Sequence, residues 1–479
     1  MKETSDIEEK SFFPHFTTMF VRSRTFARQS SPAAYNHYKH GTMSTLENER
    51  TILVISYDFP PRGARNATRA AHVATALTRN GWRTIVVSCS PDNFVQRDEE
   101  WAQRLRNEGV EIHTTPSLLR SDAPTGARVR TPSPRMQRMK RWWRQWRQQP
   151  DEYAAWRRNA LPVIEEILAA STVNMMLAVG PPFSDFVLTQ EIAEKHGIPF
   201  ALDYGDTWLD SPLHAVPTPM HQKRSLAMEE SALRKAALIF TTTRRSKEAL
   251  LRRFRYLTHE DILIVPHGYD ESEWDTPLDP TVREYLEELP TKPAGACLIT
   301  AYQDMHEDAT VRVLLKAVRQ ICAKNPEMRS AFRVRIIGLV RPKHRHLVRK
   351  WKLADVVDIR TEVERSKACA MVASSDVVWY STSHDTEAGS AVIGDYCGAK
   401  KPVLLTCPNG RFVETVLDLL PVVHAEAVTT KSLRAGLEQV MQAYKEGALR
   451  VHDSAKRQSC SYTVSTKEMS RLLGIGMKM

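Results

Sequence analysis

The feature that most constrains this chain is an alternation that runs twice. From Thr51 onward, apolar runs of strand length alternate with stretches of helical periodicity. The runs are ILVIS (52–56), TIVVS (84–88), NMMLAVG (174–180), PFALD (199–203), ALIFTTT (237–243) and ILIVPHG (262–268). They are apolar almost throughout, as strands buried on both faces are. Between the first two, Ala70, Val73, Ala74 and Leu77 mark one face of a helix that Asn80-Gly81 closes. Strand–helix–strand repetition implies right-handed crossovers and a parallel sheet. After a polar stretch from Asp270 to Pro293 the rhythm restarts with CLITAY (297–302), RVRIIGLV (333–340), VVDIR (356–360), DVVWYS (376–381) and PVLLT (402–406). The expected fold class is therefore α/β, with two Rossmann-like domains facing across a cleft. Open parallel sheets bind ligands at the carboxyl ends of their strands, so that cleft is the expected site.

The expected division is an extension over 1–48, a first domain over 49–270, a second over 271–440, and C-terminal helices over 441–479 that pack back toward the first domain. Residues 1–48 have no apolar period and begin with the acidic MKETSDIEEK, unlike a secretory or transit leader. With 479 residues and 42% hydrophobic content, the chain is long enough for two cores and is neither disordered nor fibrous. Its seven cysteines are scattered and never spaced as CxxC, which fits a reducing compartment and argues against a zinc ribbon. The apolar runs fall well short of the ~20 residues that span a bilayer. There is no HExxH, no P-loop and no GxSxG, so no metal centre, NTPase site or serine hydrolase is indicated.

Several segments, in this order along the chain, resemble family-4 glycosyltransferases of the GT-B fold. They are ILVISYDFPPRGARNATRAAHVATALTRNGW, VGPPFSDF, GIPFALDYGDTWLD, ILIVPHGYD and, less closely, EAGSAVIGDYCGAKKPVL. The resemblance covers roughly residues 50 to 425 and implies a first domain that binds the acceptor and a second that binds a nucleotide-diphosphate sugar. It implies roles residue by residue. Glu387, the first acid of an E-x7-E-like motif, orients the donor sugar. Asp395, the second acid, accepts hydrogen bonds from the ribose hydroxyls, with a side chain one methylene shorter than the family's Glu. On the acceptor side stand the loop containing Gly63 and Arg65, and the Asp203–Asp206–Trp208 cluster, with Asp206 in a catalytic role. A carboxylate suits such tasks because it only accepts and can take two hydroxyls at once. Each piece also has a structural reading: a βα turn, a capping Asp, a solvated acid.

The sequence departs from the family where the donor's diphosphate should be met. LITAYQDMHEDATV carries no Arg or Lys at the expected place, Val392 stands where Lys often precedes the second acid, and Lys400 replaces a glycine. Cations at that place would stabilise the charge of the departing diphosphate. Arg341 and Lys343, with Arg345, follow a strand end and are the candidate substitutes. They could equally open a solvated helix.

The net charge of +11 is concentrated: nine Lys or Arg stand against one acid between Arg120 and Gln149. Within that stretch Met136, Met139, Trp143 and Trp146 recur at helical spacing, with Arg135, Arg138, Arg141 and Arg144 around them and Trp142 beside them. A basic helix with tryptophan on its other face suits an anionic membrane surface, which makes Trp142, Trp143, Trp146, Arg141 and Arg144 the membrane candidates. The alternative is a Met/Trp stripe packed on the first domain. No nucleic-acid module is recognisable.

The expectation is thus a cytoplasmic enzyme, peripheral at the inner face of the membrane. It would move a sugar from a nucleotide sugar to a polysaccharide or lipid-linked acceptor, with retention and with no cofactor or metal. Its rivals are a non-catalytic GT-B scaffold that docks on a membrane or partner, and a nucleotide-sugar epimerase, which needs no acceptor.

Overall fold

The computed structural model describes residues 50–64, 66–91, 96–117, 139, 143, 146–210, 218–302, 308–338, 341–361, 363–382, 390–410, 416, 420–449 and 454–477. Two parallel sheets carry the chain. The first has seven strands in the order β3-β2-β1-β4-β5-β6-β7: β1 (Arg50–Ile55), β2 (Trp82–Cys89), β3 (Glu111–Thr115), β4 (Met175–Gly180), β5 (Phe200–Tyr204), β6 (Leu238–Thr241) and β7 (Ile262–Ile264). The second has six in the order β10-β9-β8-β11-β12-β13: β8 (Cys297–Tyr302), β9 (Phe332–Ile337), β10 (Val357–Arg360), β11 (Val377–Ser381), β12 (Val403–Thr406) and β13 (Val422–Ala425). Every pairing in both sheets is parallel. In each the order reverses beside the first strand, between β1 and β4 and between β8 and β11, the place where sheets of this kind form their crevice at the strand ends.

The apolar runs become these strands because helices cover both faces. β4 is buried at all six positions, and each sheet is sandwiched between two apolar clusters. On the helix Ala67–Arg79, Ala70, Val73, Ala74 and Leu77 are fully buried, as their spacing predicts. Two strands were not visible in the sequence. β3 (EIHTT) is a half-exposed edge and β13 (VVHA) is only four residues long.

The carboxyl ends of the two sheets meet. The segment after β2 reaches the segment after β10: the Gln96 side-chain amide donates to the Val363 carbonyl, and Asp98 Oδ2 accepts from the Arg365 backbone N–H at 2.7 Å. The chain then crosses back. Tyr269 pairs through its backbone with the residues either side of Ser461 (Tyr269 N to Cys460 O 3.1 Å, Tyr462 N to Tyr269 O 3.0 Å). The last helix, Tyr462–Gly476, packs on the helix Ala67–Arg79, where Trp82 Nε1 donates to Ser470 Oγ at 2.9 Å. At the crossing backbone lies on backbone. A Cβ on Gly394 would stand 2.1 Å from the Gly268 carbonyl oxygen, so no larger residue fits without a shift.

Candidate functional site between the two sheets

At the first crevice, beyond β1, a polar cluster is tied down tightly. Asp58 accepts from Arg62 Nε (2.8 Å) and Asn66 Nδ2 (3.2 Å), and the Arg62 guanidinium lies over the Tyr57 ring, 4.9 Å from its centroid. Asp185 Oδ2 accepts from the Tyr57 backbone N–H at 2.7 Å. Burial, with the negative charges of Asp151 and Asp58 nearby, pushes the Asp185 carboxyl well above its usual range. Asp151 accepts from the Ser184 N–H (2.9 Å) and the Tyr153 N–H (3.0 Å), and burial raises its pKa too. Tyr153 and Trp156 pack on Tyr57 with ring centroids 4.5 and 5.3 Å away.

Where the halves meet, Glu273, His72, Arg104, Arg365 and Asp395 form a polar network, buried except for the half-buried Arg104. Its centre is Glu273, on the short helix Glu271–Trp274 that follows the crossover between halves. From the first half, His72 Nε2 lies 3.1 Å from Glu273 Oε2, and Arg104 donates to Oε1. From the second, Arg365 reaches Glu273 at 2.6 Å and Asp395 at 2.7 Å. Glu273 and His72 are 1% exposed at the side chain, Arg365 and Asp395 5%, so the two ion pairs of Arg365 lie out of water. Burial alone would raise the Glu273 pKa; Arg365, His72 and Arg104 together hold it well below the usual carboxylate range. The network latches the two halves across the crossover.

At the edge of the second sheet, beyond β10, lies an open groove of about 440 Å³. Arg345, Arg360 and Lys367 supply three cations to it, Glu364 one acid, and Tyr285 an aromatic wall. Arg345 donates to Thr361 Oγ1 (2.9 Å), Arg360 to Asp358 (2.9 Å) and Lys367 to Glu364 (2.5 Å). Such a recess at strand carboxyl ends suits an anionic ligand.

The sequence candidates fall into these places unevenly. Asp203 does not face a cleft. It is fully buried and clamped by Arg69, whose Nε reaches Oδ2 at 2.8 Å and whose NH2 reaches Oδ1 at 2.5 Å. Trp208 is also fully buried, stacked on Phe183 at 4.9 Å and 7°, so its indole presents no face to a sugar. Asp206 is 7% exposed and accepts from the Thr207 backbone N–H at 2.8 Å. Gly63 donates its N–H to the Gln96 carbonyl at 2.7 Å, and a Cβ there would lie 3.1 Å from that oxygen; its close neighbour is backbone.

In the second half Asp395 is held by Arg365 rather than open to a ribose. Arg341 precedes the helix Pro342–Lys350 and Lys343 is exposed on its first turn, whereas Arg345 on the same turn lines the groove. Trp143 and Trp146 are 53% and 49% exposed, not packed on the first sheet. Arg65, Arg141, Trp142, Arg144 and Glu387 lie outside the described residues.

Sequence reasoning missed Glu273, Arg365, Arg104, His72 and His267. His267 Nε2 donates to the Gly205 carbonyl at 3.1 Å, and its burial, with the Arg69 charge, pushes its pKa down to about 3. The apolar spacing gave no signal for His72, which lies on the helix side opposite Ala70, Val73, Ala74 and Leu77; in the structure that side is buried too. Among the described residues no three His, Cys, Asp or Glu converge as a metal site would require, and no helix is long and apolar enough to cross a membrane.

No family model matches the sequence, and no curated protein matches it. Solved structures do match over nearly the whole fold. A crystal structure of Anabaena HepE with UDP and glucose is 13% identical, covers 89% of this chain and 100% of its own, and superposes with a TM-score of 0.59. A glycosyltransferase from Rickettsia africae is 15% identical over 90% of this chain and 99% of its own, with a TM-score of 0.57. A UDP-GlcNAc 2-epimerase from Neisseria meningitidis bound to UDP-GlcNAc is 14% identical over 88% of this chain and 99% of its own, also at 0.57. The chain therefore has the GT-B fold.

Proposed function

We propose that this protein is a glycosyltransferase that takes a sugar from a nucleotide-diphosphate sugar and passes it, with retention, to a polysaccharide or lipid-linked acceptor. The observation that carries the reading is the pair of parallel sheets whose carboxyl ends meet across a crossover, an arrangement spanning the full length of HepE, whose crystals hold UDP with glucose and UDP-glucose. In this reading the second half holds the donor. Glu387 orients the sugar, Asp395 meets the ribose, and Arg341 and Lys343, joined by Arg345 and Lys367 of the groove, face the diphosphate. Those cations do the work a resident metal would otherwise do, so none is required. The acceptor enters beside β1, with Asp206, Gly63 and Arg65 nearby, while Asp203 and Trp208 hold the wall behind it. The enzyme works at the inner face of a membrane.

A second reading, a nucleotide-sugar epimerase, is favoured by the likeness to the Neisseria enzyme. Thermal-shift titration with UDP, GDP, ADP, CMP and their sugar conjugates tests both. One nucleoside diphosphate should raise Tm selectively, by mass action, and do so less in Asp395→Ala. Isomerisation of the bound sugar without acceptor would replace transfer by epimerisation. A folded protein that binds none of the series is not an enzyme of this kind.

A further inference from the structure

Seven large hydrophobic side chains stand exposed among the described residues, and four of them lie on the two elements that a His221–Trp146 hydrogen bond joins: Met139 (62%), Trp143 (53%), Trp146 (49%) and Met220 (57%). Scattered exposed apolar residues need no explanation, but a contiguous patch does. Met139, Trp143 and Trp146 are helical and spaced by four and three, so they share one face. The two indoles meet edge to face, centroids 6.0 Å apart. Met220 comes from a different element, the start of the helix Pro219–Lys235. That start is tied to the first segment: Thr218 Oγ1 donates to His221 Nδ1 at 2.6 Å, leaving Nε2–H to donate to the Trp146 carbonyl at 3.1 Å. The patch is thus built from two elements fixed to each other, and it faces outward.

Its charge selects the occupant. The stretch Arg120–Gln149 carries nine cations and one acid, and Arg147, Lys223 and Arg224 are exposed beside the patch in sequence. Tryptophan and methionine flanked in sequence by Lys and Arg match an anionic bilayer, where rings enter the headgroup layer and cations stay with the phosphates. Location gives the docking a purpose. Five residues after Trp146 the chain reaches Asp151, bound to the Ser184 N–H, and Tyr153 packs on Tyr57 at the first crevice.

We propose that Met139, Trp143, Trp146 and Met220 form a docking surface for an anionic lipid bilayer, which brings the β1/β4 crevice to a lipid-linked acceptor. The docking stands on the patch; the identity of the acceptor rests on the glycosyltransferase reading. The test is co-sedimentation of the full chain with phosphatidylcholine vesicles, with and without about 30% phosphatidylglycerol, at low and high salt. Binding should need the anionic lipid and weaken in high salt. The surface variant W143A/W146A/M220S, with unchanged circular dichroism and Tm, should lose about tenfold or more in partitioning. Equal binding by that variant, no binding by the folded parent, or a dimer in light scattering that the variant abolishes would each overturn the proposal. Nucleotide titration of the same preparations separates the two readings. Vesicle binding without nucleotide binding leaves the surface and removes the enzyme, and the reverse outcome does the opposite.

Discussion

Arg365→Met tests whether the latch between the halves is a dry ion-pair network. In the folded protein the Arg365 guanidinium, 5% exposed, serves Glu273 at 2.6 Å and Asp395 at 2.7 Å, which are 1% and 5% exposed. Met keeps much of the stem's volume and removes the charge, so packing is largely conserved. Two carboxylates are then left in a low-dielectric site, Glu273 with His72 and Arg104 and Asp395 without its guanidinium. Removing one partner from a buried pair costs about 3–5 kcal/mol, a large share of a typical total of about 5–15 kcal/mol. The assay is urea unfolding at pH 7, followed by the fluorescence of the buried tryptophans. The double variant Arg365→Met/Asp395→Leu removes both charges of one pair and should cost at least 1 kcal/mol less than the two single variants added together. Acid should mimic the lesion. Since the Glu273 pKa is lowered on folding, its stabilisation is present above the unfolded value near 4.3 and is lost as pH falls through the folded one. A cost for Arg365→Met below about 1 kcal/mol, the range of solvated pairs, would refute the reasoning.

Two further outcomes follow from buried groups of the first half. Glu229 is fully buried, receives the Tyr204 hydroxyl at 3.3 Å, and burial pushes its pKa up to about 8. The folded state keeps this proton while the unfolded chain loses it near pH 4.3, so stability falls as pH rises between those values. Glu229→Gln should gain on the parent by about 3 kcal/mol from pH 5 to pH 7.5 in matched urea titrations, and parallel pH profiles would contradict the assignment. Trp208→Ala should lose about 3–5 kcal/mol by the same measurement, as large aromatic truncations in cores do; a normally stable variant with impaired sugar transfer would instead return Trp208 to the acceptor site.

The sequence disclosed whatever rests on local pattern. Runs apolar on both faces announced parallel strands, and their restart after Pro293 announced a second sheet, because a strand covered by helices on both sides leaves no polar period. The edge strand β3 escaped for the complementary reason: half exposed, EIHTT carries the polar residues that water allows. Side-chain pairings were much less legible. A carboxylate at a strand's carboxyl end reads as a ligand for substrate, yet Asp203 is taken by Arg69, 134 positions earlier. Asp395 is taken by Arg365, 30 positions earlier, and Glu273 by His72, 201 positions earlier.

These pairings change what a donor site in this chain must do. A ribose that uses Asp395 competes with a guanidinium already 2.7 Å away, and that guanidinium also holds Glu273 and, through its backbone N–H, Asp98 of the first half. Releasing Asp395 therefore draws on the same contacts that join the halves, so a ligand that engaged Asp395 would be thermodynamically linked to the relative placement of the halves. Among the cations beyond β10, Arg345 is held by Thr361 and Arg360 by Asp358, both near the groove's own edge, while Lys367, held by Glu364, also feels the Glu100 carboxylate of the first half. A diphosphate can recruit them by exchanging one surface partner for another, without disturbing the latch. Of the two candidate contacts for a nucleotide, the groove is thus the one that costs the fold least, and Asp395 the one through which binding would be felt in the other half.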